Sequence, residues 1–333
     1  MPNLSPDSIP TADGRALNPA TAMDAVTLRV GDLEAMSAYY ETALVMEPLQ
    51  ERTRGREVHR VLGRGATPMV RLIHTPDLPG VDPHEAGLFH TAFLFDDAAS
   101  LAATVHRAAQ HPQSRYVGSA DHLVSEAFYF TDPEGNGIEL YRDRPRETWE
   151  VSGTQVRMDN LPLDPAAYLR RHLDQEVLDA GAARAGRVGH VHLQVGDVAR
   201  AREFYVGAVG FDPTASWNSA LFASAGGYHH HVAMNTWNSH GAGPRSSRLG
   251  LGDLAITVPG REDLDALVSR YRAQRIASPM RGTGWSPRTR GAPRSRWPCR
   301  ARRQRSCSAG EAPYSWMCIG ATFPRRVGRL SPR

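Results

Sequence analysis

Residues 125–141, SEAFYFTDPEGNGIELY, are the stretch that indicates the fold most directly. Two apolar runs flank the turn residues 132–137, and a turn rich in Pro and Gly between aromatic or branched flanks is typical of a β-hairpin. Glu139 shares a face of the second strand with Gly137 and Tyr141, because side chains alternate along a strand. A carboxylate within an apolar strand is costly to bury unless it is paired or binds a metal. Glu139 is therefore either such a residue or an exposed edge residue.

The composition is that of a soluble globular protein. The chain has 333 residues, room for two or three domains, with 41% hydrophobic and 22% charged residues. No apolar run approaches the roughly 20 residues that span a bilayer, so we expect no membrane partner. Residues 1–22 lack the basic and apolar regions of a secretory signal, which predicts a flexible arm and a cytoplasmic protein.

The net charge of +4 conceals two unlike parts of the chain. Residues 281–333 hold 13 Arg and a single acid, Glu311, and are strongly basic, whereas the remainder is acidic. All three Cys also lie in this last segment, so the body of the protein offers no disulfide and no cysteine-based zinc site.

An internal repeat organises the chain. Residues 26–48, VTLRVGDLEAMSAYYETALVMEP, match residues 191–213, VHLQVGDVARAREFYVGAVGFDP, without a gap. Each copy predicts a strand, an Asp N-cap (Asp32 or Asp197), an amphipathic helix and further strands. A weaker pair relates residues 89–95 to 252–258. The chain therefore contains four βαβββ modules.

These modules predict an α+β fold, because a single module leaves a sheet face open and two modules together form a cupped mixed sheet. The modules cover about 24–76, 87–142, 188–237 and 249 onward. The corresponding division is a flexible arm (1–22), a first domain of modules one and two (23–142), a linker with a helix near 165–180 (143–187), a second domain (188–280) and an Arg-rich irregular tail (281–333).

The fourth module is truncated or scrambled. After about Ser278 the periodicity vanishes, Arg, Pro, Ser and Cys dominate, and no second DPxGxxxE hairpin follows. An out-of-frame reading of a GC-rich gene would account for a pattern that stops inside a module. The alternative is a basic nucleic-acid-binding tail, which is disfavoured because the segment has no helical or aromatic-interleaved pattern.

The first strand of module three, residues 188–195, alternates polar and apolar side chains. His190, His192 and Gln194 share the face that should line the cup, while the apolar face should pack on the module's helix. His90 occupies the corresponding place in module two. At the equivalent positions of modules one and four stand Ala25 and Asp253.

Modules two and three thus supply His90, His190 and Glu139. Two imidazoles and one carboxylate on a cupped sheet can hold a divalent metal and leave positions open, as in non-haem Fe(II) oxygen chemistry. Each histidine taken alone is equally compatible with a hydrogen-bonded core or surface residue.

Three stretches resemble the extradiol ring-cleaving dioxygenases of the vicinal oxygen chelate (glyoxalase/bleomycin resistance/dioxygenase) superfamily, and the catechol 2,3-dioxygenase-like proteins in particular. They are GHVHLQV (189–195), the hairpin with the DRPRETW that follows it, and AGGYHHHVAMNTW (225–237). The resemblance covers about residues 24–278. The Gly-Asp-plus-helix start is shared by the whole superfamily, glyoxalases included.

The resemblance implies a metal site of His90, Glu139 and His190, holding Fe(II) or, alternatively, Mn(II). Many two-domain relatives carry the metal between modules three and four. Only modules two and three of this chain contain every expected group, so the resemblance implies pairing of module two with three and of one with four.

The resemblance also implies catalytic roles. Tyr129 would hydrogen-bond a substrate hydroxyl, and His122 would stand near it. His230 would be the acid–base residue, with His229 or His231 in its place if the register is shifted by one.

The expected activity is Fe(II)-dependent extradiol cleavage of a catechol-type ring, an oxidoreductase reaction whose partners are a small aromatic diol and dioxygen. A homo-oligomer remains open, and a nucleic-acid partner is not expected. Two alternatives remain, a glyoxalase-like metalloenzyme and a non-catalytic small-molecule-binding protein of the resistance type. Oxygen uptake with substituted catechols distinguishes the dioxygenase from the glyoxalase-like enzyme. A binding protein of the resistance type is expected to show no dependence on metal.

Overall fold

The structure is a computed structural model that describes residues 16–181, 184–274 and 276, together with the backbone of 315–320. Modules one and two provide the following elements: β1 (Ala22–Met23), β2 (Val26–Val30), α1 (Leu33–Thr42), β3 (Glu47–Arg54), β4 (Glu57–Arg64), β5 (Thr67–His74), β6 (Gly87–Leu94), α2 (Ala98–Gln110), β7 (Arg115–Asp121), β8 (Ser125–Thr131) and β9 (Gly137–Asp143).

The rest of the described chain provides the linker elements, module three and part of module four. These are β10 (Val151–Ser152), β11 (Gln155–Val156), β12 (Leu161–Pro162), α3 (Pro165–His172), α4 (Gln175–Ala180), β13 (Arg187–Gln194), α5 (Val198–Arg202) with a π-helical continuation (Glu203–Val209), β14 (Asp212–Trp217), β15 (Ala220–Ser224), β16 (Val232–Asn235), β17 (Gly250–Val258), α6 (Arg261–Ala273) and β18 (Ser315–Gly320).

Two curved sheets contain the modules in the predicted pairs. Modules two and three share a nine-stranded sheet of order β12-β7-β8-β9-β6-β13-β16-β15-β14. Modules one and four share a seven-stranded sheet of order β1-β17-β2-β5-β4-β3, with β18 also beside β17. Within a module the first and last strands are parallel, as in β6 with β9 and β13 with β16. The first strands of paired modules are antiparallel, as in β6 with β13. The predicted α+β fold of paired modules is confirmed. The domain bounds given above remain predictions from the sequence.

The predicted helix starts and the hairpin are present. Asp32 and Asp197 accept the backbone N–H groups of Ala35 (2.9 Å) and Arg200 (3.0 Å), so each satisfies a free donor of a helix N-terminus. β8 and β9 pair antiparallel around the turn at 132–136. The helix expected near 165–180 is two helices instead, because Asp174 accepts the N–H groups that begin α4.

The hairpin turn binds module two to module one. The Oε1 atom of Glu134 accepts the N–H groups of Gly31 (2.8 Å) and Asp32 (2.9 Å), where β2 passes into α1. Tyr40 on α1 donates its hydroxyl hydrogen to the buried carboxylate of Asp132 at 3.0 Å. These hydrogen bonds join residues about a hundred positions apart and hold the two sheets together beside the apolar core that they share.

The fourth module has one described strand within residues 281–333. That segment is expected to be largely irregular, and within it β18 (Ser315–Gly320) pairs with β17 over residues 253–258. The pairing is antiparallel, whereas the three other modules place a parallel strand beside their first strand. β18 therefore covers the edge of β17 without reproducing the order of the repeat. Residues 281–314 and 321–333 lie outside the described residues.

Candidate functional site

Three central strands bring together the residues expected to bind a metal. His90 lies on β6, Glu139 on β9 and His190 on β13, and β6 is the middle strand of the three. Ala92 on β6 stands opposite both Glu139 and His190 in the two ladders. His90 is two positions before Ala92 and so projects from the same face. The small side chain of Ala92 leaves space in which the three larger side chains can meet.

The donor atoms of these residues converge. The Nε2 atom of His90 is 2.8 Å from Glu139 Oε2, and the Nε2 atom of His190 is 3.0 Å from the same oxygen. All three side chains are buried: His90 is 6% exposed, Glu139 2% and His190 1%. Among the described residues they form a group whose ligand atoms all lie within 4.8 Å of one another.

The hydrogen bonding within this group is incomplete, and that favours a metal. His90 Nε2 is close to Glu139 Oε2 but makes no hydrogen bond of proper geometry within the described part of the chain. An unsatisfied buried nitrogen is costly, whereas two imidazole nitrogens and a carboxylate oxygen form a usual donor set for a divalent transition metal. The residues present therefore fit the metal that the sequence predicts.

The protonation states are also those that metal ligands need. Burial would raise the pKa of Glu139, but the facing His190 and His90 lower it well below its usual range, so the carboxylate is ionised. Burial lowers the pKa of His190 to about 4, against the opposing effect of Glu139, so the imidazole is neutral. A neutral imidazole and an ionised carboxylate are the ligating forms of both side chains.

A cavity of about 550 Å³ lies over this group. His90 and Glu139 contribute to its wall, and its size suits a small organic molecule. Much of the wall is apolar or aromatic, with Leu88, Phe89, Phe130, Trp217, Phe222 and Trp237. The cavity is thus a largely apolar chamber with His90 and Glu139 of the histidine–carboxylate group in its wall.

Tyr129 and His122 form a hydrogen-bonded pair in the same cavity. Tyr129 on β8 is directly opposite Glu139 in the β8–β9 ladder. Its hydroxyl oxygen is 2.6 Å from His122 Nε2, and His122 Nδ1 is 2.9 Å from the carbonyl oxygen of Asp159. A carbonyl only accepts, so His122 Nδ1 carries the hydrogen and its Nε2 accepts from Tyr129. Burial and, secondarily, Glu139 raise the pKa of Tyr129 well above its usual value, which keeps the phenol protonated.

The three consecutive histidines 229–231 lie before β16 and face different surroundings. His230 lines the cavity, and its ring centroid is 4.0 Å from that of His190. His229 contacts Asp143 through Nε2 at 2.9 Å. His231 Nδ1 accepts the backbone N–H of Ala225 at 3.2 Å. His230 is therefore the member of the run that the structure brings to the cavity, and neither neighbour lines it. Burial lowers the pKa of His230 well below its ordinary value, so its imidazole is neutral.

His192 is a site residue to which the sequence alone assigned no role. It stands opposite His90 in the β6–β13 ladder, with the ring centroids 5.0 Å apart, and its Nε2 atom is 2.9 Å from Asn235 Nδ2. The amide nitrogen donates, so His192 Nε2 accepts and is held by the neighbouring strand. The alternation of β13 placed His192 on the polar face, but its link to Asn235 depends on the sheet order. Trp217 and Trp237, also missed, reach the cavity from module three.

None of the helices in the described part of the chain is long and apolar enough to cross a membrane.

The model of the Glyoxalase/Bleomycin resistance protein/Dioxygenase superfamily matches residues 22–140 and 187–290, and the chain belongs to this superfamily. Among curated proteins it is similar to the catechol-2,3-dioxygenase of Bacillus subtilis (strain 168), with 36% identity over 197 residues, 56% of this chain and 65% of that protein. The match therefore spans a little less than two thirds of the relative's length. The resemblance read from the sequence is confirmed.

Two solved structures align with about three quarters of the chain. Glyoxalase I from Zea mays aligns with 76% of this chain and 80% of its own, at 17% identity and a TM-score of 0.46. A putative dioxygenase from Bacillus subtilis subsp. subtilis str. 168 aligns with 74% of this chain and 84% of its own, at 12% identity and a TM-score of 0.45.

Proposed function

We propose that this protein is an Fe(II)-dependent extradiol dioxygenase that cleaves a catechol-type ring beside its two hydroxyls. The observation that carries the proposal is the convergence of His90, Glu139 and His190 beside a largely apolar cavity, to whose wall His90 and Glu139 contribute. The similarity to a catechol-2,3-dioxygenase over more than half of the chain supports it. The glyoxalase-like alternative shares the fold, so an assay must separate the two.

His90, Glu139 and His190 would hold the metal. All three come from the nine-stranded sheet. When bound, Fe(II) would supply Lewis-acid chemistry that lowers the pKa of the diol hydroxyls, and it would bring the diol and dioxygen together. The protein's own contribution is the placement of proton acceptors and donors around the ring.

His230 is the proposed acid–base residue. The Nδ1 atom of His230 is hydrogen-bonded to the Nδ1 atom of His229, 2.8 Å away. Nε2 is therefore the atom that can take a proton from a substrate hydroxyl and later return it. A neutral imidazole is the form that accepts a proton, and the lowered pKa of His230 keeps that form present.

Tyr129 is proposed to orient the other substrate oxygen. Its hydroxyl hydrogen is given to His122, which leaves the oxygen lone pairs free to accept a hydrogen bond from substrate. The hydroxyl therefore points in a fixed direction. The aromatic side chains around the cavity would pack against the ring and exclude water.

The metal identity and the cellular setting belong to the same proposal. A His₂–carboxylate group accepts Mn(II) as well as Fe(II), and we favour Fe(II) because it suits dioxygen chemistry. The proposed partners are a small aromatic diol and dioxygen, and the proposed location is the cytoplasm.

The test is anaerobic reconstitution of the full chain with Fe(II), and in parallel with Mn(II), followed by oxygen-electrode measurements on a panel of substituted catechols. Oxygen uptake coupled to a yellow semialdehyde product is expected with at least one catechol. A protein that retains metal but consumes no oxygen with any catechol, and isomerises a thiol–aldehyde adduct instead, would be the glyoxalase-like alternative.

A further inference from the structure

A chain of hydrogen bonds runs from the end of β9 to the cavity. The Oδ1 atom of Asp143 is 2.9 Å from His229 Nε2, and the Nδ1 atoms of His229 and His230 are 2.8 Å apart. His229 is fully buried, His230 lines the cavity, and the side chain of Asp143 is 24% exposed. The three residues therefore join a carboxylate to the proposed acid–base residue through one buried imidazole.

Two tyrosines fix the carboxylate at the far end. Tyr228 donates its hydroxyl hydrogen to Asp143 Oδ2 at 2.9 Å. Tyr141 is 2.8 Å from the Tyr228 oxygen and must donate to it, because Tyr228 has only one hydrogen to give. Asp143 is thus held in place as an acceptor, and its other oxygen is directed at His229.

The direction of each hydrogen follows from the chemistry of the groups. The carboxylate of Asp143 only accepts, so His229 Nε2 carries a hydrogen. With this single hydrogen, His229 has a bare Nδ1 atom, and His230 Nδ1 is then the donor in the contact of 2.8 Å between the two Nδ1 atoms. His230 is left with its hydrogen on Nδ1 and a free lone pair on Nε2. This is the tautomer that a base acting through Nε2 needs.

We propose that Asp143 and His229 are positioning residues that hold His230 in the Nδ1–H tautomer, with Nε2 free to act in the cavity. The functional meaning rests on the proposed dioxygenase activity, while the tautomer itself can be measured without any activity. The arrangement resembles the logic of a catalytic triad, in which a carboxylate sets the tautomer of a histidine.

The first test is NMR of the ring nitrogens of isotope-labelled histidine in the full chain loaded with Zn(II), which is diamagnetic. The expected spectrum has His230 protonated on Nδ1 and His229 on Nε2, with the signals assigned from His230→Gln and His229→Asn. A wild-type His230 protonated on Nε2 would overturn the proposal. The measurement stands even if the protein consumes no oxygen with catechols, a result that would count against the proposed function alone.

The second test separates orientation from simple packing. In His229→Asn the side-chain oxygen can replace Nδ1 as an acceptor, whereas His229→Phe fills the space without one. We expect kcat to fall on the order of 10²-fold in His229→Phe and to be largely kept in His229→Asn. Metal content and anaerobic catechol affinity should match the wild type in both.

Asp143→Ala should reduce kcat in the same way, with catechol affinity unchanged. The matched control is Asp265→Ala, which removes an exposed acid on α6 that pairs with Arg261 away from the cavity. Equal losses of kcat in His229→Asn and His229→Phe, with metal and substrate still bound, would show that acceptor chemistry at this position has no role and would refute the proposal.

Discussion

Gly189 lies against the hydroxyl of Tyr141, so closely that a Cβ atom at position 189 would come within 1.8 Å of that oxygen. Gly189 precedes the proposed ligand His190, and the ring centroids of Tyr141 and His190 are 4.8 Å apart. Tyr141 is also the residue that donates to Tyr228. The absence of a side chain at position 189 therefore lets the tyrosine reach both the ligand and the hydrogen-bond chain that ends at Asp143.

Gly189→Ala should destabilise the protein by about 1–3 kcal/mol, because the methyl group displaces a fully buried tyrosine from a packed site. Urea unfolding of the purified variant measures this change. Gly207→Ala is the control, since a Cβ there meets no atom within 4 Å. The idea fails if both variants unfold at the same urea concentration.

His190→Ala should abolish retention of Fe(II), because it removes one of three donors whose ligand atoms lie within 4.8 Å of one another. Asp253→Ala should retain the metal, since Asp253 lies on β17 in the other sheet although it stands at a repeat-equivalent position. Metal analysis after gel filtration gives the answer. Iron retained in full by His190→Ala would mean that another set of residues binds it.

His230→Gln should bind iron as the wild type does and turn over roughly 10²–10⁴ times more slowly, the usual size of a general acid–base contribution. The measurement combines iron content with steady-state oxygen uptake. Unchanged turnover would transfer the role to His229, His231 or His122.

Tyr40→Phe should remove the hydrogen bond between α1 and the hairpin turn. The resulting decrease in the free energy of unfolding should depend on pH. Burial raises the pKa of Asp132 to about 6, while hydrogen bonds from Asn136 and Tyr40 oppose that rise. In the unfolded chain the carboxyl titrates near 3.8, so the folded protein binds this proton more tightly and loses stability as pH rises from about 4 to 6.

Above pH 6 the carboxylate is charged and depends most on its donors, so Tyr40→Phe should cost about 1–3 kcal/mol at pH 7 and less at pH 4. Urea unfolding of wild type and variant at both pH values isolates the effect, because other titrating groups are common to the two proteins. A loss of equal size at both pH values would show that the charge of Asp132 plays no part.

A chain that stops after residue 276 should still bind the metal, because the three ligands lie at or before position 190 and the cavity wall at or before position 238. It should be less stable, since β17 would lose β18 and expose an unpaired edge. Iron content and thermal unfolding of the truncated and full chains provide the comparison. Loss of iron from the shortened chain would tie residues beyond 276 to the site.

The sequence predicted the features that depend on short-range pattern. The hairpin, the Asp caps and the module repeat come from alternation and turn chemistry, and the repeat-equivalent histidines indicated which modules meet. β18 was missed because the Arg and Pro content of its surroundings was judged as a whole, while the six residues SWMCIG favour a strand by themselves.

The contact of Asp143 with His229 could not be predicted from the sequence, for a different reason. The two residues are 86 positions apart, and no motif links the end of β9 to the segment before β16. The link between His192 and Asn235 is of the same kind, because it depends on the order of strands within the completed sheet.

The division of the proposed metal-binding group between the two halves of the chain bears on how the protein is made. His90 and Glu139 emerge from the ribosome with the first half, while His190 follows only after the linker and α4. A nascent chain that has reached α4 holds two of the three donors. The complete group forms only once β13 has paired with β6. Acquisition of the proposed metal would therefore be a late event in biosynthesis, and the amount of metal retained would report whether the two halves have docked.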